Sequence, residues 1–264
     1  MDIDVTSFLL GKSQGGGGSP TLQTKNVTIT SNTETTVTPD EGYDGLEEVT
    51  ITTNVQAPKY APKIILFTGF TGTDLSYETQ NLNTSNITTM KEMFKNCNTL
   101  TTIDLSGWNT SNVTNMNAMF QNDWSLTSLN LSNFDTSKVT DMSYMISTRG
   151  TSTDVLESIT FGTGWDTSKV ENFSNMFRCS KVSAIDFSKF DFTSCTNAQT
   201  MLGSSYNKTL TDDSYNALLG ALITGVNIPT KTLKYIGLSS AQCNKCVTLS
   251  NWSALESAGW TTGY

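Results

Sequence analysis

The chain has 264 residues, a net charge of −8 and a pI near 4.5, with 36% hydrophobic and only 15% charged residues. It contains no histidine, which excludes a Ser–His–Asp triad, a Cys–His dyad and an HExxH zinc site and leaves a carboxylate pair as the surviving hydrolytic chemistry. The acidic balance, without any cluster of Lys and Arg, argues against nucleic acid or an anionic membrane as partner. Thr, Ser and Asn fill the composition, as in β-rich surface proteins.

Residues 1–24 read as an anchoring leader and a linker. Met1 to Leu10 is short, amphipathic and acidic where a secretion signal is basic, and Gly15–Gly18 make the following stretch flexible. Val5, Phe8, Leu9 and Leu10 are apolar enough to dock elsewhere, so they are the candidate attachment residues. Residues 25–56 read as a small β module: Val27–Thr30 and Val49–Thr52 alternate apolar and polar, with Thr35–Thr38 between them and turn chemistry at 39–45. Three strands are near the lower limit of independent stability, so the module is expected to lean on neighbours or copies of itself. Residues 57–82 are a linker stiffened by Pro58 and Pro62, then a cap beginning at Ile64–Phe67.

Residues 83–208 carry one sentence five times. Asn83-Thr-Ser-Asn-Ile-Thr-Thr-Met90 returns from Asn109, Asp135, Asp166 and, decayed, Asp191, at spacings of 26, 26, 31 and 25 residues. A period in this range predicts a solenoid, because one unit cannot bury its apolar face alone. Each copy has two apolar lines. The first, Leu100xxIle103xLeu105 and its counterparts from Leu126, Leu156 and Val182, has the spacing of a leucine-rich-repeat strand. The second, Val113xxMet116xxMet119-Phe120 and its counterparts, predicts a short strand or bend entering one helical turn. A third column, Leu82, Trp108, Phe134, Trp165 and Phe190, is either a sugar-stacking stripe or a core ladder, and the core reading is preferred. The Asn/Asp-Thr-Ser corners suit side-chain hydrogen bonds that close a turn. Thr148–Asp154 is an insertion expected to bulge from one face, with Arg149 in it.

Residues 209–264 read as a helical C-terminal cap, with helices from Thr211 or Asp212, around 239–249, and at 251–258. The five cysteines are an odd number and too sparse for a disulfide scaffold. Cys243 and Cys246 form a CxxC without the other two ligands zinc needs, so Cys246 is expected on the buried side of a short helix. No cofactor and no metal are expected. No stretch approaches the ~20 apolar residues of a membrane span.

The repeat LxxLxLSxFDTSxVTxMxxMFxxC resembles the BspA-like leucine-rich repeats of bacterial surface proteins, over roughly residues 75–205. The repeat-closing cysteine of that family stands at Cys97 and Cys179 and is replaced by Asp123 in the second copy. Residues 1–56, with the leader, the glycine run, Lys25-Asn-Val-Thr-Ile-Thr30 and Pro39-Asp-Glu-Gly-Tyr-Asp-Gly45, resemble the N-terminal region of virion structural proteins of phages infecting Gram-positive bacteria.

Together these imply a mainly β protein with short helices: a leucine-rich-repeat solenoid between a small N-terminal β module and a helical C-terminal cap. The expected function is non-enzymatic display on a phage particle, on its tail, baseplate or capsid. Residues 1–56 would attach to other virion proteins and the solenoid would contact host glycan or protein. The expected ligand-binding residues are the solvent-facing strand positions Thr102, Asp104, Ser128, Asn130, Ser158, Thr160 and Asp186. A homo-oligomer is expected, a trimer among its forms. The alternative is a bacterial cell-surface adhesin binding a protein. A histidine-free glycan hydrolase would need two carboxylates facing each other across a cleft.

Overall fold

A computed structural model describes the backbone of residues 3–9, 23–29 and 47–51, and residues 67, 73–76, 84–85, 87–148, 155–178, 181–203 and 210–263. The expected strand at Thr35–Thr38, both linkers, Leu10, Leu82, Arg149, Cys179 and Tyr264 lie outside them, as do the side chains of Val5, Phe8 and Leu9.

The N-terminal strands are β1 (Ile3–Leu9), β2 (Gln23–Ile29) and β3 (Glu47–Ile51). β1 is antiparallel to both others, meeting β2 at Ile3↔Ile29 and β3 from Thr6↔Ile51 to Leu9↔Glu48. β2 and β3 run parallel from Gln23↔Glu47 to Asn26↔Thr50. Each strand therefore pairs with the other two. Where the sequence suggested a leader separate from the module, the backbone makes residues 3–9 one of the module's strands.

The repeats stack as successive coils, like residue upon like residue. Ile87, Val113, Val139, Val170 and Cys195 form one buried line, and Met93, Met119, Met145, Met176 and Met201 another. Phe67, Phe94 and Phe120 stack face to face with centroids 5.3 Å apart at each step. Burying each such side chain contributes about 1.5–3 kcal/mol, and flexible Met fills what rings leave open. Trp108, Phe134, Trp165 and Phe190 are buried as well, so this column is core.

Main-chain pairing follows the same register. Parallel bridges join Thr89, Asn115, Asp141, Asn172 and Asn197 in turn. The amide of Met90 donates to the Asn115 carbonyl at 2.8 Å, that of Met116 to Asp141 at 2.9 Å, and that of Met142 to Asn172 at 3.0 Å. The continuous ladder thus runs along the Val-Thr-x-Met line. On the Leu-x-x-Leu-x-Leu line, pairing is confined to Asp74↔Thr102 and to β4 (Ser128–Leu131) against β5 (Ser158–Phe161), among the described residues. The fourth copy, expected to be a strand over Val182–Phe187, ends in a 3-10 turn at Phe187–Lys189.

The helical turn expected after each Met does not form. Glu92, Ala118, Tyr144, Asn175 and Thr200, one per coil, have φ between 50° and 58°. Left-handed backbone there breaks any right-handed helix and costs an L-residue about 1–2 kcal/mol. It turns the amide outward to the next coil: Ala118 donates to the Ser143 carbonyl at 2.8 Å, and Tyr144 to Ser174 at 2.9 Å.

The C-terminal part caps the stack with α1 (Asp212–Leu222), α2 (Ser240–Cys246) and α3 (Trp252–Ser257). Thr211 caps α1 through Ser214, and Ser239 forms a capping box with Gln242 at α2. Tyr215, Leu218, Leu219 and Leu222 are buried on α1. The ladder continues into the cap: Thr200 donates to the Tyr235 carbonyl at 2.7 Å and Leu202 to Ile236 at 3.0 Å. Thr232 then bridges to Thr261.

Candidate binding face

Most corners of the described coils are turned in one way. An Asn or Asp side chain accepts the amide two residues on, which closes the turn without help from another coil. At the first corner the amide of Ser106 donates to Asp104 at 2.8 Å, Ser132 to Asn130 at 3.0 Å and Ser188 to Asp186 at 3.1 Å. At the second, Ser111 donates to Asn109, Ser137 to Asp135 and Ser168 to Asp166, at 2.9–3.0 Å. At the third, Asn117 donates to Asn115, Ser143 to Asp141 and Ser174 to Asn172, at 2.8–3.1 Å.

This scheme sorts the expected ligand residues. Ser128, Asn130, Ser158 and Thr160 are exposed, and β4 sets Ser128 opposite Ser158 and Asn130 opposite Thr160. Neighbouring strands lie about 4.7–4.9 Å apart, so these four form one polar patch. Thr102 is exposed one coil earlier, bridged to Asp74. The Asn133 amide ties that coil on by donating to the Leu105 and Trp108 carbonyls at 2.9 and 3.0 Å. Asp186 is exposed but lies past the last strand, as the cap of the 3-10 turn. Asp104 is half-buried. Asp104, Asn130 and Asp186 all hold corners, so their side-chain oxygens are structural before they are available to a ligand. The Ser106 amide, with its hydroxyl second, holds the Asp104 carboxyl below the ordinary carboxylate range.

The exposed positions of this face, Thr101, Thr102, Thr127, Ser128, Asn130, Glu157, Ser158 and Thr160, carry hydroxyl, amide and carboxylate groups and no basic group. Gly162 fixes its rim, since a Cβ there would sit 1.6 Å from the Ser132 carbonyl oxygen.

A second polar column went unnoticed in the sequence. Thr88, Thr114, Thr140 and Thr196 are exposed along the main ladder. Its signal was the Thr that follows Ile87, Val113 and Val139 in the motif. These hydroxyls are engaged: Thr114 donates to the Thr88 carbonyl at 3.1 Å and Thr140 to Thr114 at 3.3 Å.

Among the described residues no group of three or more His, Cys, Asp or Glu could hold a metal ion. Cys243 and Cys246 are buried on α2 and not joined in a disulfide, and burial, with the Cys243 thiol second, pushes Cys246 up to about 12. Among the described residues no helix is long and apolar enough to cross a membrane.

A stack of repeat coils with polar corners and an apolar interior is a class of architecture rather than an activity. The family of Mycoplasma proteins of unknown function, DUF285, matches residues 66–160 and again 158–217. The match covers more than half of the chain, and the protein belongs to that family, which is of the BspA-like surface-protein kind. No curated protein and no solved structure matches the chain.

Proposed function

We propose that this is a non-enzymatic display protein, a leucine-rich-repeat solenoid carried on the outside of a particle or cell, with its β4–β5 face turned to an external ligand. The observation that carries the reading is the paired register of Ser128 with Ser158 and Asn130 with Thr160 on an exposed face without basic groups. Closely spaced hydroxyls and amides match the donors and acceptors of a sugar polymer, and a host-surface glycan is the ligand class we favour. The carrier we infer is a phage virion, to which residues 1–56 attach, on the resemblance of those residues to virion structural proteins. The family match favours a second reading, a bacterial cell-surface adhesin binding a protein.

Labelled full-length protein, wild type and the separate variants Ser128→Arg and Ser158→Arg, would be titrated onto Gram-positive cells and onto their purified wall polysaccharide. Both substitutions place a long side chain on an exposed position. The proposal expects saturable binding by the wild type and at least tenfold weaker binding by each variant. Equal binding by all three would move the ligand to another face, and no binding by the wild type would remove the adhesion reading. Mass spectrometry of purified virions against washed cell envelopes decides between the two carriers.

A further inference from the structure

One buried polar group falls outside the scheme of corners. Asp123, at the end of the second coil, is 1% exposed, and neither carboxyl oxygen has a partner at ordinary hydrogen-bond geometry, the Cys97 amide being the donor that still acts on it. The same position in the first coil is Cys97, a buried thiol that donates to the Phe67 carbonyl at 2.9 Å. A thiol suits such a site as a small hydrophobe with a weak donor. An ionised carboxylate does not, because a buried charge without a partner is the form that a low dielectric penalises most.

We propose that Asp123 makes the joint between the first two coils pH-sensitive, the stack holding there with Asp123 as the neutral acid and loosening as it loses its proton. Burial drives its carboxyl well above the ordinary carboxylate range, and the Cys97 amide, which favours the ionised form, is outweighed. The described neighbours supply no opposing charge. On the preceding coil the described titratable groups are the Cys97 thiol, the exposed Lys91, Asp104 at its corner, and the surface pair in which Lys95 meets Glu92 at 2.8 Å. On the following coil Ser147, whose carbonyl accepts the Asn122 amide at 2.9 Å, and Thr148 are buried and uncharged. The 26-residue repeat gives Arg149 the equivalent place in the next copy; it lies outside the described residues, and its charge forms one arm of the test. A folded-state value raised above the unfolded one leaves stability complete in acid and removes it as pH rises toward the folded value.

The experiment is thermal unfolding of the full-length protein from pH 4.5 to 8, comparing the wild type with Asp123→Asn, Asp123→Cys and Arg149→Gln. The expected result is that the Tm of the wild type falls relative to both Asp123 variants by about 3–5 °C per pH unit, with the dependence kept in Arg149→Gln. A gap that stays flat, or a wild type that gains on the variants as pH rises, overturns the proposal. So does an Arg149→Gln substitution that reverses the sign, since the carboxylate would then be ionised and paired. If neither Asp123 variant folds, carbon NMR of the wild-type carboxyl decides: titration above pH 6 supports the proposal, and full ionisation by pH 5 overturns it.

Discussion

The Thr110 hydroxyl donates to the Asp135 carbonyl at 2.9 Å and accepts the Asp135 amide at 2.8 Å. The same pair of hydrogen bonds ties Thr84 to Asn109, Thr136 to Asp166 and Thr167 to Asp191. All four threonines are buried, at 2% exposure or less, so one hydroxyl per coil satisfies both main-chain groups of the next coil's corner. Thr110→Val keeps the shape and leaves a part-buried amide and a part-buried carbonyl unpaired. A cost of about 2–4 kcal/mol is expected, read as a lower urea midpoint. Thr110→Ser keeps the hydroxyl and is expected to cost much less. Equal losses in the two variants would show that packing of the methyl, not the hydrogen bonds, holds the corner.

Ala118 offers the opposite kind of change. Its φ of 55° is left-handed, and the side chain is buried. Glycine relieves the strain of about 1–2 kcal/mol but loosens the unfolded chain by about 0.4–1 kcal/mol. Ala118→Gly is therefore expected to stabilise the protein by up to about 1 kcal/mol in urea unfolding. Ala118→Val, β-branched at the same φ, should be destabilising. A glycine variant less stable than the wild type would mean that the Ala118 methyl contributes more to packing than its backbone costs in strain.

The surface corners respond to acid with the reverse sign to Asp123. The Ser137 hydroxyl, then its amide, holds the Asp135 carboxyl below its ordinary value. A depressed folded value means that the contribution is present above the unfolded value near pH 4 and is lost as pH falls through the folded value. Unfolding followed by circular dichroism between pH 5 and 2 should show the wild type weakening toward acid, and Asp135→Asn weakening less steeply. Parallel curves for the two proteins would remove Asp135 from the acid response.

Much of this was legible because repetition is legible. Ile87, Val113 and Val139 recur in step with Met90, Met116 and Met142, and identical side chains at one period can only stack. The helix starts at Thr211 and Ser239 were written in local capping chemistry. The threonine pairs across coils were not: Thr110 reads as one more corner hydroxyl until Asp135 is seen to lie against it. Nor does sequence show a left-handed Ala118 or Tyr144, since neither residue type prefers that conformation and only the neighbouring coil's carbonyl stabilises it. At the candidate face, alternation marked Ser128, Asn130, Ser158 and Thr160 as outward-facing. The corner duty of Asp104, Asn130 and Asp186 depended on where each strand stops, which alternation does not show.

The end of the stack is the remaining test. The Ile185 amide donates to the Ser214 hydroxyl at 3.0 Å, and that hydroxyl lies 3.0 Å from Thr211 Oγ1. The first buried serine of α1 thus takes the partner role that another coil would otherwise fill for the fourth copy. Ser214→Val removes the acceptor at a buried site, and a loss of about 1–3 kcal/mol is expected. Hydrogen exchange locates the effect: the Ile185 amide should lose protection while Met116 and Met142, deep in the ladder, keep theirs. Uniform loss across all three amides would mean that cap and coils unfold as one unit, with α1 contributing to global stability rather than sealing one end. A stack whose terminal layer opens first behaves as a quasi-one-dimensional array, in which each coil is held by its neighbours. A stop after Gly203 would strip the partners from the Thr200 and Leu202 amides and expose Met201 and Leu202, which are buried in the intact chain. Such an uncovered edge favours pairing between chains, so aggregation is the expected outcome for the truncated protein in analytical ultracentrifugation.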